Sequence, residues 1–386
     1  MRIKRIIIFA FALIIIASTV GFFSCDRVVS IASDGEMPPM MGEEIPIGVV
    51  VALTGQHAEP YGFPMQRGFE LAREEINSLG GVNLTFITVN DRSTPEGAKA
   101  AVQHLVDQGV PAIVGLAIST HLKEAAPIAQ ENQVIAFSSV SSAAGLSGIG
   151  NFIFRTSLAT NISIPSGVIV TQQKIGYQKV ATIYDEIDVY ARSSNEVLKT
   201  VLEANGVEIL TQETFKTGDT DFSQQLTNIM AVEPDALFIS ALSQEIAQIV
   251  AQTSEVDFPD TIHVIAPDLT MDEVQKAGKG AEGTIGFIGW STTSDAPGNQ
   301  TFIANYRAKY GIEPEPWAAQ SYVTLHVLAN AIKIAQSADA TAIRDALAQT
   351  KDLPTILGDF SFNPDGDALY DQIVLVVKDG EFQVLE

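Results

Sequence analysis

Two serine-bearing stretches and one aspartate are the residues of this chain whose types and settings best suit recognition of a small charged solute. Ser119-Thr120 follows a β-branched run that ends near Gly115, and Ser138-Ser139-Val140-Ser141-Ser142 follows a second run, Val134–Phe137. In open α/β sheets, ligands sit outside the carboxyl ends of the strands, where helix N-termini turn free backbone N–H groups toward anions. Two such loops side by side hold a carboxylate through hydroxyls and N–H groups. Asp268, in Ala266-Pro267-Asp268-Leu269, follows a third run and offers a carboxylate suited to an ammonium group. The same residues serve equally as N-caps and turn formers with no ligand, so their types leave both readings open.

Other patterns fail on context. Gly278-Lys-Gly280-Ala-Glu-Gly283 spells a dinucleotide fingerprint, but a helical pattern precedes it and a strand pattern follows, the reverse of what a phosphate-binding turn requires. It is read as a helix C-cap and turn. The five histidines, His57, His104, His121, His263 and His326, include no pair at metal-ligand spacing along one helix, so no metal site is expected. Asp365-Gly366-Asp367 after Asn363-Pro364 reads as a turn, because the remaining calcium-loop spacing is missing. No nucleophile elbow, Walker loop or HExxH occurs, and the single cysteine, Cys25, precedes the folded part. Enzymatic chemistry, and any cofactor, therefore has no support here.

The chain has 386 residues, enough for two or three domains, with 46% apolar and 18% charged residues. That composition excludes intrinsic disorder. Its 46 acidic against 23 basic residues set a net charge of -23, a field that repels phosphate backbones and anionic lipid headgroups. Nucleic acid is not an expected partner.

Arg2, Lys4 and Arg5 precede an apolar run from Ile6 to Val20 and the stretch Gly21-Phe22-Phe23-Ser24-Cys25, the layout of an export signal over 1–24. The run falls short of the roughly 20 residues that span a bilayer, although a signal anchor is the alternative. Residues 25–44 show no period and contain Pro38-Pro39, as suits a flexible tether. From Ile45 onward, short β-branched runs alternate with segments carrying apolar residues at three- and four-residue spacing, the pattern of parallel sheets covered by helices, an α/β class. Strands are expected at Ile47–Ala52, Leu84–Asn90, Ala112–Val114, Val134–Phe137, Val180–Tyr184, Glu208–Thr214, Ala236–Ser240, His263–Ala266 and Thr284–Ile288. A closing hairpin, Gln372–Val377 with Phe382–Leu385, turns at Asp379-Gly380. The same βα rhythm on either side of residue 158 points to two similar lobes.

At this level of detail the chain resembles a family. The opening IGVVVALTGQHAEPYGFPMQRGFELAREEIN, then NDRSTPEGAKAAVQHLVDQGVPAIVG, the run FRTS at Phe154–Ser157, KVATIYDEIDVYARS and GDTDFSQQLTNIMAVEPDALFIS are similar to bacterial periplasmic branched-chain amino-acid-binding proteins. These are the type I substrate-binding proteins of ABC transporters, and the resemblance runs from Ile45 to the C-terminus. It implies two doubly wound Rossmann-like lobes joined by three crossovers, 45–158 plus 290–360 and 159–289 plus 361–386, that close over a ligand. It implies a carboxylate held by Ser119, by the Val140 backbone and by Ser142, an ammonium held by Asp268, and approach of Tyr190 from the second lobe. Tyr61 and Trp317 fall on aromatic lining positions, with core packing as the alternative role of each, and Leu242 stands where branched-chain binders carry an aromatic residue. Cys25 resembles a lipobox cysteine, with Phe22 where leucine is usual, which implies acylation and a lipid anchor in the cell envelope. An ordinary secreted protein with a chance cysteine is the alternative. The implied partners are a small amino acid, apolar and branched-chain-like, and ABC permease subunits, with the protein a monomer. Two further uses of the same fold are a sensor that signals to a partner and a receptor for non-amino-acid carboxylates such as aromatic acids.

Overall fold

The computed structural model describes residues 44–386, so the expected export signal, Cys25 and the expected tether up to residue 43 lie outside the described residues, while Glu44, expected in the tether, opens the first strand. Among the described residues no helix is long and apolar enough to cross a membrane. The first sheet collects β1 (Glu44–Val51), β2 (Asn83–Asn90), β3 (Ala112–Gly115), β4 (Ile135–Ser138) and β5 (Ile153–Arg155), all parallel, in the order β2-β1-β3-β4-β5. Helices α1 (Phe63–Leu79), α2 (Pro95–Asp107) and α3 (Ser119–Glu131) connect successive strands. A parallel sheet with helices on both faces buries both sides of its strands, which explains why β1 reads as a continuous apolar run rather than an alternating one. Each fully buried valine or isoleucine there contributes about 1.5–3 kcal/mol.

The chain then crosses over through Thr156–Ala159 into α4 (Thr160–Ile175) and a second sheet. That sheet contains β6 (Lys179–Asp185), β7 (Glu208–Phe215), β8 (Ala236–Ser240), β9 (His263–Ile265) and β10 (Ile285–Ile288), with α5 (Val189–Ala204), α6 (Ser223–Ala231), α7 (Ser243–Glu255) and α8 (Met271–Ala277) between them. The glycine-rich stretch is a C-cap and turn: Gly278 caps α8 at φ 60, and a short 3-10 turn over Gly278–Ala281 leads on to β10. After β10 the chain returns to the first lobe at Trp290, whose indole N–H donates to Asn299 at 2.7 Å. It continues through α9 (Asn299–Tyr310), α10 (Pro316–Ala335) and α11 (Ala340–Leu347). The long α10 is apolar on nearly every side, as expected of a helix enclosed by its lobe.

A small antiparallel sheet, β11 (Leu353–Thr355), β12 (Gly358–Phe362) and β13 (Ala368–Leu369), was not expected from sequence. Its strands are too short, and too rich in Gly, Pro and Asp, to show a period. It also moves a boundary: Phe362 packs edge-on against Phe137 at 5.6 Å and Phe154 at 5.1 Å, so residues 361–369 stay with the first lobe instead of joining the second. The third crossover is therefore Tyr370–Gln372. It leads to β14 (Ile373–Lys378) and β15 (Glu381–Val384), which add antiparallel to the edge of the second sheet. Asp379 and Gly380, at φ 53 and 75, form the turn that the Asp-Gly pair signals.

Candidate functional site

The carboxyl ends of both sheets face one another across the crossovers. Gly115 ends β3 at φ 110, and a Cβ there would lie 2.0 Å from the Val50 carbonyl oxygen, so only glycine lets the strand turn this close to β1. Leu116 follows at φ 54, and after Ala117-Ile118 the helix α3 begins at Ser119. Its first-turn N–H groups and the β4–β5 loop meet here.

The serines divide into two roles. The Ser138 hydroxyl donates to the Leu116 carbonyl at 2.9 Å, Ser141 donates to the same carbonyl at 2.8 Å, and Ser139 pairs with Thr324 at 2.9 Å. These three fasten the loops to each other and to α10. The Ser119 hydroxyl accepts the Ala143 N–H at 3.2 Å and so keeps its own proton free to donate. Ser119, Ser142 and Val140 line a cavity between the lobes.

From the second lobe, Tyr190 enters on the first turn of α5, behind the N-cap Asp188, whose carboxylate accepts the Ala191 N–H at 3.0 Å. Asp268 follows β9 with its backbone at φ 61, and the Tyr190 hydroxyl donates to its Oδ2 at 3.1 Å. Burial pushes the Asp268 carboxyl up to about 6, against the opposing pull of that hydrogen bond. Burial, followed by the Asp268 charge, drives the Tyr190 hydroxyl well above its ordinary range. Leu242 stands at the N-cap of α7. Tyr61, on a short π-helical turn before α1, accepts the Ser243 N–H across the cleft at 3.0 Å, and its ring lies 5.8 Å from that of Trp317 at the start of α10.

Tyr61, Ser119, Val140, Ser142, Tyr190, Leu242, Asp268 and Trp317 thus border a single cavity, which the closely apposed lobes leave with a volume of only about 30 Å³. The lobes are in contact around it: Thr120 donates to Asp188 at 2.9 Å, and the Ala144 N–H donates to Ser193 at 2.9 Å.

Sequence reasoning missed Ala117, Ile118, Ala241, Ile246 and Glu273 as wall residues. The first four are ordinary apolar residues with no distinguishing signal. Glu273 carried one, since Thr270-x-x-Glu273 has capping-box spacing, and the box is formed on α8. Its carboxylate accepts from the Ser243 and Thr270 hydroxyls and the Thr270 N–H, yet burial still pushes it up to about 7. The wall therefore carries two carboxylates and no lysine or arginine.

Two histidines that looked scattered converge from different elements. His121 sits 3.1 Å from the Asp91 carboxylate, and its ring lies 5.7 Å from that of His57, which in turn lies 5.9 Å from Tyr61. Burial, then the neighbouring His121, lowers His57 to about 4, so it is neutral at physiological pH. Among the described residues no His, Cys, Asp or Glu group is arranged to hold a metal ion.

Two sheets with their carboxyl ends turned to a shared cavity, joined by three crossovers, define a two-lobed solute receptor. A family model described as periplasmic binding protein matches residues 44–381. The chain belongs to the periplasmic binding protein family. It is similar to the Leu/Ile/Val-binding protein BraC3 of Rhizobium johnstonii, 25% identical over 335 residues, covering 85% of this chain and 90% of that protein. It superposes with a TM-score of 0.82 on the branched-chain amino acid transporter substrate-binding protein LivJ of Streptococcus pneumoniae, solved with isoleucine, at 27% identity, covering 89% of this chain and 98% of that one. A solute-binding protein of an ABC transporter from R. palustris, solved with benzoate, superposes with a TM-score of 0.81, covering 89% and 96%. At 19% identity that likeness bears on the fold alone.

Proposed function

We propose that this protein is the extracytoplasmic solute receptor of an ABC importer and captures a small α-amino acid with a compact apolar side chain. One observation carries the reading. Asp268 with Tyr190 on one lobe faces Ser119, Ser142 and the Val140 backbone on the other, across a cavity whose wall contains no cationic side chain. The zwitterion is the complement of that arrangement: the carboxylate meets the N-terminus of α3 and the serine hydroxyls, and the ammonium meets Asp268. A carboxylate lacking an amine, such as the benzoate of the R. palustris protein, would leave Asp268 buried beside a second negative charge. Tyr61, Leu242, Ile246 and Trp317 then enclose the side chain. Both lobes contribute ligand contacts, so the ligand favours the closed form over the open one by the contacts made only on closure. No bond is made or broken. Cys25, acylated after removal of residues 1–24, would tether the receptor to the membrane beside its permease through residues 25–43.

The test is calorimetric titration of residues 26–386, unfolded and refolded to strip retained ligand, with leucine, isoleucine, valine, alanine and phenylalanine and with their des-amino acids. One-to-one binding that requires the amine supports the reading. Equal binding of the des-amino acids, or no binding across the panel, refutes the amino-acid assignment.

A further inference from the structure

A fully buried arginine lies beneath the loop proposed to hold the carboxylate. Arg155 closes β5, the last residue before the first crossover, and has no exposed surface. Its Nε donates to Asp367 Oδ1 at 2.9 Å and its Nη2 to the same oxygen. Its Nη1 donates to the Ala143 carbonyl at 2.5 Å and reaches the Ser141 carbonyl at 3.5 Å. Asp367, in turn, sits just before the third crossover. Asn363 holds it through the Asp367 N–H, and Ser147 donates to its carboxylate. The backbones are also joined, Arg155 N–H donating to the Gly366 carbonyl at 3.0 Å. Gly366 permits that approach: it has φ 89, and a Cβ would stand 2.6 Å from the Ile153 carbonyl oxygen.

Because a trans peptide is planar, its C=O and N–H point in opposite directions. A guanidinium that draws the Ser141 and Ala143 carbonyls down into the first lobe therefore turns the N–H groups of Ser142 and Ala144 up toward the cleft. For Ala144 the result is visible, since its N–H meets Ser193 of α5 at 2.9 Å. For Ser142 it leaves an N–H on the cavity side of the loop, next to Ser119.

We infer that Arg155, clamped by Asp367, is a positioning residue for ligand binding. It orients the 141–144 peptides so that one N–H serves the ligand's carboxylate and the next serves lobe closure, and it ties both to the first and third crossovers. A surface loop without this anchor would have to order these peptides at the moment of binding, an entropic cost that the buried pair removes beforehand. The inference rests on the carboxylate subsite proposed above, and one arm of its test does not.

The variant pair is Arg155→Met with Asp367→Leu. Replacing a buried ion pair by apolar side chains of similar volume is often neutral or stabilising, whereas removing one partner is not, so the double variant frees the carbonyls without leaving an unpaired buried charge. Arg155→Lys, which keeps the charge but not the fork, is the second variant. In the ligand arm, L-leucine and L-leucinamide are titrated into each protein. A positioning role predicts at least 10-fold weaker leucine binding by the double variant, a smaller loss for the amide, and an intermediate loss for Arg155→Lys, with melting temperatures close to wild type. In the ligand-free arm, backbone hydrogen exchange at Ala144 should accelerate at least 10-fold in the double variant while β4 and β6 stay protected. Unchanged exchange at Ala144, or equal losses for leucine and its amide, overturns the inference. Wild-type protein that binds neither probe refutes the amino-acid reading instead and leaves the exchange arm to decide on Arg155.

Discussion

The sharpest consequence of the site is that one substitution should strengthen the fold and weaken binding together. Asp268 is crowded by the closed cleft, receives a single hydrogen bond, from Tyr190, and titrates near 6 in the unliganded protein, about two units above an ordinary aspartate. A carboxyl whose folded-state pKa is raised favours the folded state at low pH and loses that contribution as pH rises toward 6. At pH 7.5 the full difference is expressed, about 3 kcal/mol at 1.36 kcal/mol per unit. Part of the side chain remains open to the cavity, and solvent screening trims the figure to about 1–3 kcal/mol. Asp268→Asn removes the charge, keeps an acceptor for Tyr190 and tolerates the φ of 61. At the entropy of unfolding typical of a chain this long, the unliganded variant should melt roughly 1–4 °C higher at pH 7.5. At pH 4, where the wild-type carboxyl is largely neutral, the gain should vanish. An amino acid, by contrast, would leave its ammonium without a counter-charge, a loss of about 3–5 kcal/mol or some 100- to 5000-fold in Kd. Scanning calorimetry at the two pH values and isothermal titration read the pair of effects. A variant that melts lower at pH 7.5 would make Asp268 a prop of the fold, and unchanged affinity would remove the ammonium assignment.

The same group sets the pH profile of binding: affinity for an amino acid should fall as pH drops below about 6, and a flat titration between pH 5 and 8 would contradict a role for an ionised Asp268. Stability of the unliganded protein should run the other way. Glu273 and Glu315 are raised to about 7 and 8, Glu315 by burial and then by Glu273 and Asp272 with Lys276 opposing, so the melting temperature should fall from pH 6 to pH 8.5, and Glu273→Gln should flatten that slope. Trp317→Ala opens the cavity beside Tyr61; it should cost about 3–5 kcal/mol of stability and shift preference toward bulkier side chains, whereas an equal loss for every amino acid would assign Trp317 to packing alone. Cys25→Ser should abolish incorporation of labelled palmitate and release the protein from membranes, since several acyl chains anchor stably where none remain on serine; unchanged membrane association would favour the signal-anchor alternative.

What the sequence determined by itself was whatever local pattern controls. The alternation of strand and helix, the loops at the ends of β3, β4 and β9, the C-cap at Gly278 and the Asp379-Gly380 hairpin all follow from periodicity and backbone preference within about ten residues. Seven of the eight residues named from the resemblance lie on the loops after β1, β3, β4, β6, β8 and β9 or on the first helical turns that follow them, and Trp317 opens α10, so topology carries them into one cavity.

Only the tertiary structure decided which polar groups face that cavity and which hold it together. Ser119 and Ser142 border it with Ser141, while Ser138, Ser139 and Ser141 spend their hydroxyls on loop carbonyls and Thr324, though all five serines look alike in sequence. Glu273 could be foreseen as a cap but not as a wall. Arg155 and Asp367, 212 residues apart, meet only because the first and third crossovers run side by side, and the small sheet joins the first lobe only because Phe362 finds Phe137 and Phe154. The physical reason is common to all of these. Propensity acts within a turn or two of chain, whereas desolvation and hydrogen-bond partnership depend on neighbours that packing brings from far along it.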